Sequence, residues 1–372
     1  MRTGENIYYR KDGRWEGRVK QGWDNSGKRK YCYLYGKTYS EVKQKMVMVN
    51  AVNVKKDILF KFLVKDWLYK KKYEVKESTY ALYELIIKRY ILPYLGELKI
   101  SQINCVRIQN FISFNLKRKQ KANEAQLSGK TIRDIAIILK SIFKLAEIIY
   151  EIKNPMQEIK LPRAELKEIN VLQPLEIEKI ITISMQKNDL CSLGIILCLY
   201  TGIRLGELCA LKWKNICFIT KTIKIDKTMQ RIYNYDSDAK KKTKIIIDTP
   251  KSKKSLRTIP LPDFLCVKLQ EVGGNMKKEA YLLTGMTNKF IEPRNYQNYF
   301  KRYLKELGLR NVNFHILRHT FATRCIEVGV DIKSLSEILG HTNINITLNR
   351  YVHSSLEYRR RQIEKLTFIN SH

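Results

Sequence analysis

Three closely spaced prolines divide this chain of 372 residues into two parts with different patterns of apolar residues. Pro155, Pro162 and Pro174 punctuate residues 153–174. Proline breaks a helix and disfavours helical backbone at the residue before it, so we predict a linker that leads into a new domain. A chain of this length usually forms two or three domains of roughly 100–200 residues each. We therefore expect a multidomain protein.

The first segment, residues 1–57, predicts a small β module followed by a helix. The β-rich runs are Ile7–Arg10, Trp15–Lys20 and Arg29–Tyr35, and turn-forming residues separate them. Ser40 is a suitable N-cap for the helix that follows. Aromatic and cationic residues alternate here, so we expect one face of the sheet to pack and the other to contact DNA.

The second segment, residues 58–152, predicts an all-helical domain. Ser128 is a suitable N-cap for one amphipathic helix, and an earlier helix should stop at Pro93 and Gly96. The apolar residues of the helix after Ser128 recur at helical spacing. They are Ile132, Ile135, Leu139, Ile142, Phe143 and Ala146.

The last segment, residues 175–372, predicts a mixed, mainly helical domain. Helical spacing covers its first part, over 175–200 and 203–213, and it returns toward the end. Between them lie three strand-like runs, which predict a small sheet. These runs are Thr222–Ile225, Ile245–Asp248 and Leu256–Pro260, with a polar, cationic loop at Asn234–Lys244.

Positive charge is spread over the whole chain. The net charge of +34 divides into +8 over residues 1–60, +10 over 61–165 and +16 over 166–372. Such an excess indicates a polyanionic partner, either nucleic acid or an anionic membrane. The longest apolar stretch without charge, Leu190–Ile203, is shorter than the roughly 20 residues that a membrane-spanning helix needs. We therefore predict that each segment can contact nucleic acid.

The termini and the cysteines point to a reducing compartment. The first residues, MRTGENIYYRKDGRW, lack the apolar core of a signal peptide, so we expect a cytoplasmic protein. The eight cysteines form no Cys-x-x-Cys pair. We therefore expect buried free thiols and no zinc site.

Three motifs in the last segment carry residues suited to phosphate chemistry. In TGIRLGEL, residues 201–208, Arg204 lies where a helix begins, and Glu207 can orient it. Taken alone, this could be an ordinary surface pair, which contributes little. In FHILRHTFAT, residues 314–323, His315 and Arg318 should share one helix face, and His319 should point elsewhere.

The third motif is LGHTNINITLNRYVH, residues 339–353. Gly340 is a natural C-cap for a helix that ends at Leu339, and His341 follows it. Thr342 can cap the next helix, which should end near Tyr351. A single tyrosine is normally a packing residue, so this motif, too, is unremarkable by itself.

Together the three motifs follow the order Arg, His-x-x-Arg, His, Tyr within one domain. In this they resemble the tyrosine recombinases, the integrase family of lambda-like phages and conjugative transposons. TGIRLGEL resembles the first conserved box of the family, HILRHTFAT the second, and residues 339–353 the nucleophile segment. The stretch Ile91–Ile100 resembles part of the family's helical domain, and residues 1–57 resemble its arm-binding domain.

The resemblance implies a fold of three domains. Residues 1–57 would form an arm-type DNA-binding domain with a small three-stranded β-sheet plus a helix, and residues 58–152 an all-α core-DNA-binding domain. After the linker at 153–174, residues 175–372 would form a mixed, mainly-α catalytic domain with a small antiparallel sheet.

The resemblance also implies a reaction. Tyr351 would attack a DNA phosphate and form a 3′-phosphotyrosyl link, with His315 as its base. Two arginines and His341 would stabilise the charge on the non-bridging oxygens, and a lysine would protonate the leaving 5′-oxygen. No metal, ATP or other cofactor would be required. The implied catalytic residues are Arg204, Lys251, His315, Arg318, His341 and Tyr351.

Three lysines in the sequence are candidates for this role. The family carries it on a β-hairpin between the two arginine boxes, and TPKSKKSLRTIP, residues 249–260, resembles that hairpin. Lys251 matches the motif position best, and Lys253 and Lys254 remain alternatives. The preceding stretch, Gln230–Lys244, is an insertion relative to compact members of the family.

The resemblance favours a site-specific recombinase that integrates and excises a mobile element. Its expected partners are double-stranded DNA attachment sites and three further copies in a homotetramer on DNA. An excisionase and a DNA-bending host protein are candidate partners, and a membrane is not. One alternative is an Xer-like resolvase of chromosomes or plasmids, which should lack residues 1–57. The other is a catalytically inactive DNA-binding regulator, which should have lost a catalytic residue.

Overall fold

The protein divides into two compact units. The structure, a computed structural model, describes residues 6–23, 29–56, 58–117, 126–161, 170–235, 241–250, 253–351, 360 and 363–364. The first unit comprises Met1–Glu165 with Tyr235–Ser237, and the second comprises Leu166–Asn234 with Asp238–His372.

The first unit begins with an antiparallel three-stranded sheet, as predicted. Its strands, in spatial order, are β1 (Ile7–Tyr9), β2 (Trp15–Trp23) and β3 (Arg29–Gly36). One face packs on the helix α1 (Tyr39–Lys56), and the approach is close. A Cβ on Gly17 of β2 would lie 2.6 Å from a methyl group of α1, so only glycine fits there.

The helix α1 begins two residues earlier than the sequence suggested. The predicted cap, Ser40, lies inside the first turn of the helix. The backbone N–H of Glu41 instead donates to Thr38 Oγ1 at 3.2 Å. A threonine hydroxyl satisfies an N-terminal amide as serine does, so the prediction of Ser40 as the cap was wrong by two residues.

A helical bundle follows, which confirms the predicted all-α segment. Its helices are α2 (Phe60–Glu74), α3 (Glu77–Ile86), α4 (Leu92–Leu95), α5 (Cys105–Lys117) and α6 (Gly129–Tyr150). Ser128 caps α6, accepting from Thr131 N at 3.2 Å, as predicted. Pro93 does not stop a helix, because α3 continues through a π-helical segment, Ile87–Ile91, into α4 without a break. The helical run ends at Leu95, with Gly96 as its C-cap.

The second unit is mainly helical, with two small antiparallel sheets in its described part. Its helices are α7 (Pro174–Gln186), α8 (Leu190–Thr201), α9 (Leu205–Ala210), α10 (Asp263–Gly273), α11 (Pro293–Glu306), α12 (Ile316–Glu327), α13 (Ile332–Leu339) and α14 (Ile344–Tyr351). The predicted helix over 175–200 is two helices, because Asp189 caps α8 by accepting from the N–H groups of Cys191 and Ser192. The core lies around α8, which is apolar on nearly all sides.

The strands of the second unit do not pair as the sequence suggested. One sheet has the order β4 (Ile216–Cys217), β5 (Thr222–Ile225) and β8 (Arg257–Pro260). The other is a hairpin of β6 (Thr228–Tyr233) and β7 (Thr243–Asp248). The prediction missed β6, which includes the first four residues of the insertion at Gln230–Lys244, and β7 includes the last two. Of the predicted loop at Asn234–Lys244, residues 236–240 lie outside the described residues.

The lysine-bearing segment is a connection between these two sheets. The stretch 249–260 was predicted to be a hairpin, but β7 pairs with β6 whereas β8 pairs with β5. Within it, Lys253–Ser255 forms a short 3₁₀ turn. Lys251 lies outside the described residues.

No helix in the described part of the chain has both the length and the apolar content needed to cross a membrane. All eight cysteines are free thiols. Cys198, Cys209 and Cys266 are buried as predicted, whereas Cys217 is exposed.

Candidate active site

Arg204 lies at the junction of two helices. α8 ends at Gly202, whose φ of +62° places it in the left-handed region. A Cβ at this position would lie 2.5 Å from the ring of Phe321, so glycine serves both the turn and the packing. The next helix, α9, begins at Leu205, and Arg204 is its N-cap. The first predicted motif therefore folds as a sharp helix-to-helix turn that presents one arginine.

The carboxylate of Glu207 holds Arg204 in place. Its Oε2 accepts from the backbone N–H of Arg204 at 2.9 Å, and its Oε1 accepts from Nη1 of the same arginine at 2.8 Å. Glu207 is itself buried. The pair is therefore not the ordinary surface ion pair that the sequence left open.

A second arginine, Arg257 of β8, binds the same carboxylate. Its Nη1 and Nη2 donate to Oε1 and Oε2 of Glu207 at 3.1 and 2.8 Å. Burial raises the pKa of Glu207. The hydrogen bond and charge of Arg257 and the charge of Arg204 lower this pKa, and together they outweigh burial, so the net shift is downward. The carboxyl group is therefore an anion at neutral pH, and it keeps both arginines in fixed positions.

Arg318 of α12 is almost completely buried beside this cluster. Its Nη1 donates to the carbonyl oxygen of Gly202 at 2.7 Å. Its Nη2 donates to Leu339 O at 2.8 Å and lies 2.9 Å from Nε2 of His341. The second motif and the third motif therefore meet through this side chain.

His341 is held at both ring nitrogens. Its Nδ1 lies 2.9 Å from Oγ1 of Thr347, on α14. A guanidinium can only donate, so Nε2 accepts from Arg318 and Nδ1 carries the proton toward Thr347. This arrangement describes a neutral imidazole. We expected His341 to donate to a phosphate; here its Nε2 is an acceptor.

Three arginines converge on the C-terminal end of α13. Arg257, Arg318 and Arg204 donate to the successive carbonyl oxygens of residues 338–340, at 2.6, 2.8 and 3.4 Å. The last carbonyls of a helix lack partners within the helix and carry its partial negative charge. Gly340, with φ of +66°, ends the helix as predicted. Arginines from separate parts of the sequence therefore bind the same helix end.

His315 lies at the N-cap of α12 and is exposed. We expected His315 to lie inside this helix, but it is the residue immediately before α12. The ring of His319 does not point elsewhere: its centroid lies 4.7 Å from that of His315, with the planes at 84°. One turn of helix brings residues four apart onto the same face, which explains the contact.

Tyr351 is the last residue of α14, the helix that follows His341. The predicted cap of this helix, Thr342, is replaced by Asn343, whose Oδ1 accepts from Asn345 N at 2.9 Å. Of the alternative lysines, Lys254 donates to the carbonyl oxygen of Thr342 at 3.1 Å, so the lysine-bearing segment reaches the same turn.

The structure therefore brings Arg204, Arg318 and His341 together and places Tyr351 at the end of the next helix. Sequence reasoning missed two residues of this site, Arg257 and Thr347. Glu207 gave a signal for Arg257, because a glutamate in an apolar helix needs a buried cation as its partner. The hydroxyl of Thr347 gave no comparable signal.

Family models match two parts of the chain. The family model "Phage integrase family" matches residues 170–357, and "Phage integrase, N-terminal SAM-like domain" matches residues 59–115. A relative from Caldanaerobacter subterraneus subsp. tengcongensis, "Tyrosine recombinase XerC-like", is 31% identical and covers 94% of each chain. The chain belongs to the phage integrase family. It is a tyrosine recombinase, a site-specific enzyme that exchanges DNA strands.

Two integrases also resemble the chain over most of its length. The ICEBs1 integrase of Bacillus subtilis is 24% identical and covers 84% of this chain and 83% of its own. A solved structure of the Tn1549 transposon integrase in complex with circular intermediate DNA superposes with a TM-score of 0.65 and 25% identity. The match covers 83% of this chain and 100% of the chain in that structure, which consists of residues 82–397 of the transposon protein.

Proposed function

We propose that this recombinase is the integrase of a mobile element, which cuts and rejoins DNA at attachment sites through a 3′-phosphotyrosyl intermediate on Tyr351. The observation that carries the proposal is the convergence of Arg204, Arg318 and His341 at the end of α13, one short helix before Tyr351. Two fixed guanidiniums supply the positive charge that a phosphate needs, and the tyrosine supplies the nucleophile.

The reaction begins with attack of the Tyr351 oxygen on the scissile phosphorus. A phenol has a pKa of about 10, so the attack requires a base, and exposed His315 is the group proposed to take the proton. The phosphorus–O3′ bond of the substrate stays intact, and the bond to O5′ breaks. Because the phosphotyrosyl ester conserves the energy of the phosphodiester, a different 5′-hydroxyl can reverse the reaction without ATP.

Negative charge grows on the non-bridging oxygens as the tyrosine attacks. Arg204 and Arg318 are proposed to donate to these oxygens, since charge-assisted hydrogen bonds held in advance stabilise a transition state most effectively. His341 is proposed to donate a further hydrogen bond to these oxygens, which requires that its Nε2 carry a proton and give up the bond that it accepts from Arg318. Lys251 is proposed to protonate the leaving 5′-oxygen, from the connection between β7 and β8.

The proposed partners are double-stranded attachment sites and three further copies of the chain. Exchange of both strands between two duplexes requires four cleavages, and each chain offers one Tyr351, so four copies are needed on the DNA. The net charge of +34 suits a protein that surrounds duplexes. An excisionase and a DNA-bending host protein remain proposed accessory partners, and the cytoplasm remains the proposed compartment.

The proposed domains are residues 1–57 for arm-type DNA, 58–152 for core DNA and 175–372 for catalysis, joined by 153–174. In support, the sheet with α1 and the bundle of α2–α6 are distinct sets of elements. Deleting residues 1–57 should leave cleavage of a core-site substrate intact but impair integration between full attachment sites. Loss of core cleavage on deletion would contradict the proposed separation.

An Xer-like resolvase is a second candidate, because the 31% identical relative is named XerC-like and covers 94% of both chains. The presence of residues 1–57 therefore does not separate the two functions. Integration assays do: an integrase joins two different attachment sites on separate molecules, whereas a resolvase acts on two copies of one site.

The decisive test of the chemistry is covalent trapping on a nicked suicide substrate, read on a denaturing gel. The wild-type chain should form a protein–DNA adduct, also in the presence of EDTA. Tyr351→Phe should bind the same DNA with unchanged affinity and form no adduct, because only the nucleophile is lost. Tyr358→Phe is the matched control and should react normally. An adduct on Tyr351→Phe, or its loss on Tyr358→Phe, would place the nucleophile elsewhere.

A further inference from the structure

Arg257 is the arginine at this site that the proposed reaction does not use. Its side chain is only 5% exposed, whereas that of Arg204 is 35% exposed. Besides Glu207, it donates to the carbonyl oxygens of Ile338 at 2.6 Å and of Ser255 at 3.1 Å. Arg257 therefore lies in the interior, whereas Arg204 reaches the surface of the site.

Arg257 and Arg204 share the two carboxylate oxygens of Glu207. Each carboxylate oxygen accepts one hydrogen bond from Arg257 and one from Arg204, counting the Arg204 backbone N–H. A buried carboxylate needs such donors to stay ionised. Arg257 keeps Glu207 charged and turned toward the N-terminus of α9, where Arg204 begins the helix.

Arg257 also touches the turn that carries His341. A Cβ on Gly340 would lie 3.1 Å from Cδ of Arg257, so the backbone of this turn packs directly on the guanidinium stem. At the other end, Arg257 begins β8, immediately after the lysine-bearing connection. A single buried side chain therefore contacts the segments that carry three of the proposed catalytic groups.

We propose that Arg257 is a positioning residue for strand cleavage, which orients Arg204 on the scissile phosphate through Glu207 and fixes the turn before His341. It does not touch DNA. This inference rests on the proposed function, since it takes Arg204 as a ligand of the scissile phosphate. A purely structural role accounts for it less well, because a buried ion pair is often no more stabilising than an apolar pair of similar volume.

The first test compares Arg257→Gln and Arg257→Lys with the wild-type chain. Arg257→Lys keeps a cation beside Glu207 but lacks the fork that reaches both carboxylate oxygens and Ile338 O. Both variants should bind core-site DNA within about twofold of wild type, and single-turnover cleavage should slow about 10²-fold, the effect of misplacing a reacting group by about 1 Å.

Arg231→Gln is the matched control. Arg231 also binds one carboxylate, that of Glu292, through two nitrogens, and it lies on the separate β6–β7 hairpin. Its loss should leave the cleavage rate unchanged. Wild-type cleavage by both Arg257 variants would overturn the proposal. If neither variant folds with near wild-type stability, Arg257 is a structural residue, and the proposal is overturned as well.

The second test is a double-mutant cycle with Arg204→Lys. If Arg257 acts mainly through Arg204, adding Arg257→Gln to Arg204→Lys should slow cleavage by less than about tenfold more, against about 10²-fold in the wild-type chain, because only its effect on the turn before His341 is left to lose. Independent roles would multiply the two defects and overturn the proposal. Failure of the proposed function is distinct: Arg204→Lys alone would then cleave at the wild-type rate, or the wild-type chain would form no adduct.

Discussion

Each of the two units contains a buried glutamate that binds two arginines. The two clusters differ in how far the arginine side chains are exposed. In the N-terminal sheet, Glu16 pairs with Arg10 and Arg18, whose side chains are 44% and 48% exposed. In the candidate active site, Glu207 pairs with one enclosed arginine and one that is 35% exposed. The first cluster lies on a surface, and the second is built into a core.

The surroundings of the exposed cluster suit an adaptable surface. The guanidinium of Arg18 lies over the rings of Tyr8 and Tyr33, at 5.1 and 5.5 Å from their centroids. Glu16 accepts from it at 2.7 Å, and the hydrogen bonds from Arg18 and Arg10 lower the pKa of this carboxyl group despite its burial. Exposed arginines on an aromatic face can follow the grooves of a duplex.

The enclosed cluster suits a single fixed task. Arg257, Arg318 and Arg204 are tied to consecutive backbone carbonyls, so they cannot follow a varied surface. Fixed donors stabilise one transition state without reorganising. From this difference we propose two uses of the same kind of ion pair: contact with DNA in the first unit and binding of one phosphate in the second.

The largest effect should come from breaking the enclosed cluster. Glu207→Ala leaves Arg257 buried without its carboxylate, which should lower the free energy of unfolding by about 3–5 kcal/mol. Cleavage should fall below detection, because Arg204 loses its support. Denaturant unfolding and suicide-substrate trapping measure both. Glu16→Ala is the parallel change, and its loss of stability should be several-fold smaller, because its arginines can turn into water. Equal losses of stability in Glu207→Ala and Glu16→Ala would contradict the distinction between an enclosed and an exposed cluster.

Lys251→Ala should slow cleavage by about 10²–10⁴-fold, the usual contribution of a positioned proton donor. A substrate with sulfur in place of the bridging 5′-oxygen sharpens the assignment, since a thiolate leaves without a proton. This substrate should rescue Lys251→Ala but not Arg204→Ala. If it does not rescue Lys251→Ala, the same pair of substrates tried on Lys253→Ala and Lys254→Ala identifies the donor.

Arg18→Ala should have a smaller effect, confined to binding. The affinity of the full chain for DNA that contains arm and core sites should fall about tenfold, within the range of a lost arginine contact to a base. Cleavage of a core-only suicide substrate should be unchanged. A matched change outside the sheet, Lys153→Ala, should alter neither. A cleavage defect in Arg18→Ala would show that the two clusters are not independent.

The smallest effect is a pH dependence of stability. The folded pKa of Glu207 is lowered, so its ionised form contributes stability that is present above the unfolded pKa of about 4.3 and is lost as the pH falls through the folded value. The stability difference between wild type and Glu207→Gln should stay constant from about pH 6 to 8 and shrink in acid. A difference that changes between pH 6 and 8 would indicate another titrating group.

Much of the fold could be predicted, because helices leave periodic patterns in the sequence. β6 was missed because its buried residues, Met229 and Ile232, are three apart instead of alternating. The hairpin at 249–260 was wrong because β8 pairs with β5, a partner distant in sequence. Arg257 was missed because an arginine is normally exposed, and its burial depends on three chain segments meeting.

The most direct test of the central claim is to remove charge from the scissile phosphate. A methylphosphonate carries a methyl group in place of one non-bridging oxygen and has no net charge. On the ordinary phosphodiester, Arg204→Ala should cleave about 10²–10³-fold more slowly than wild type. On the methylphosphonate, that defect should shrink at least about tenfold, because the charge that Arg204 stabilises is gone. An equal defect on both substrates would show that the enclosed cluster does not hold the phosphate.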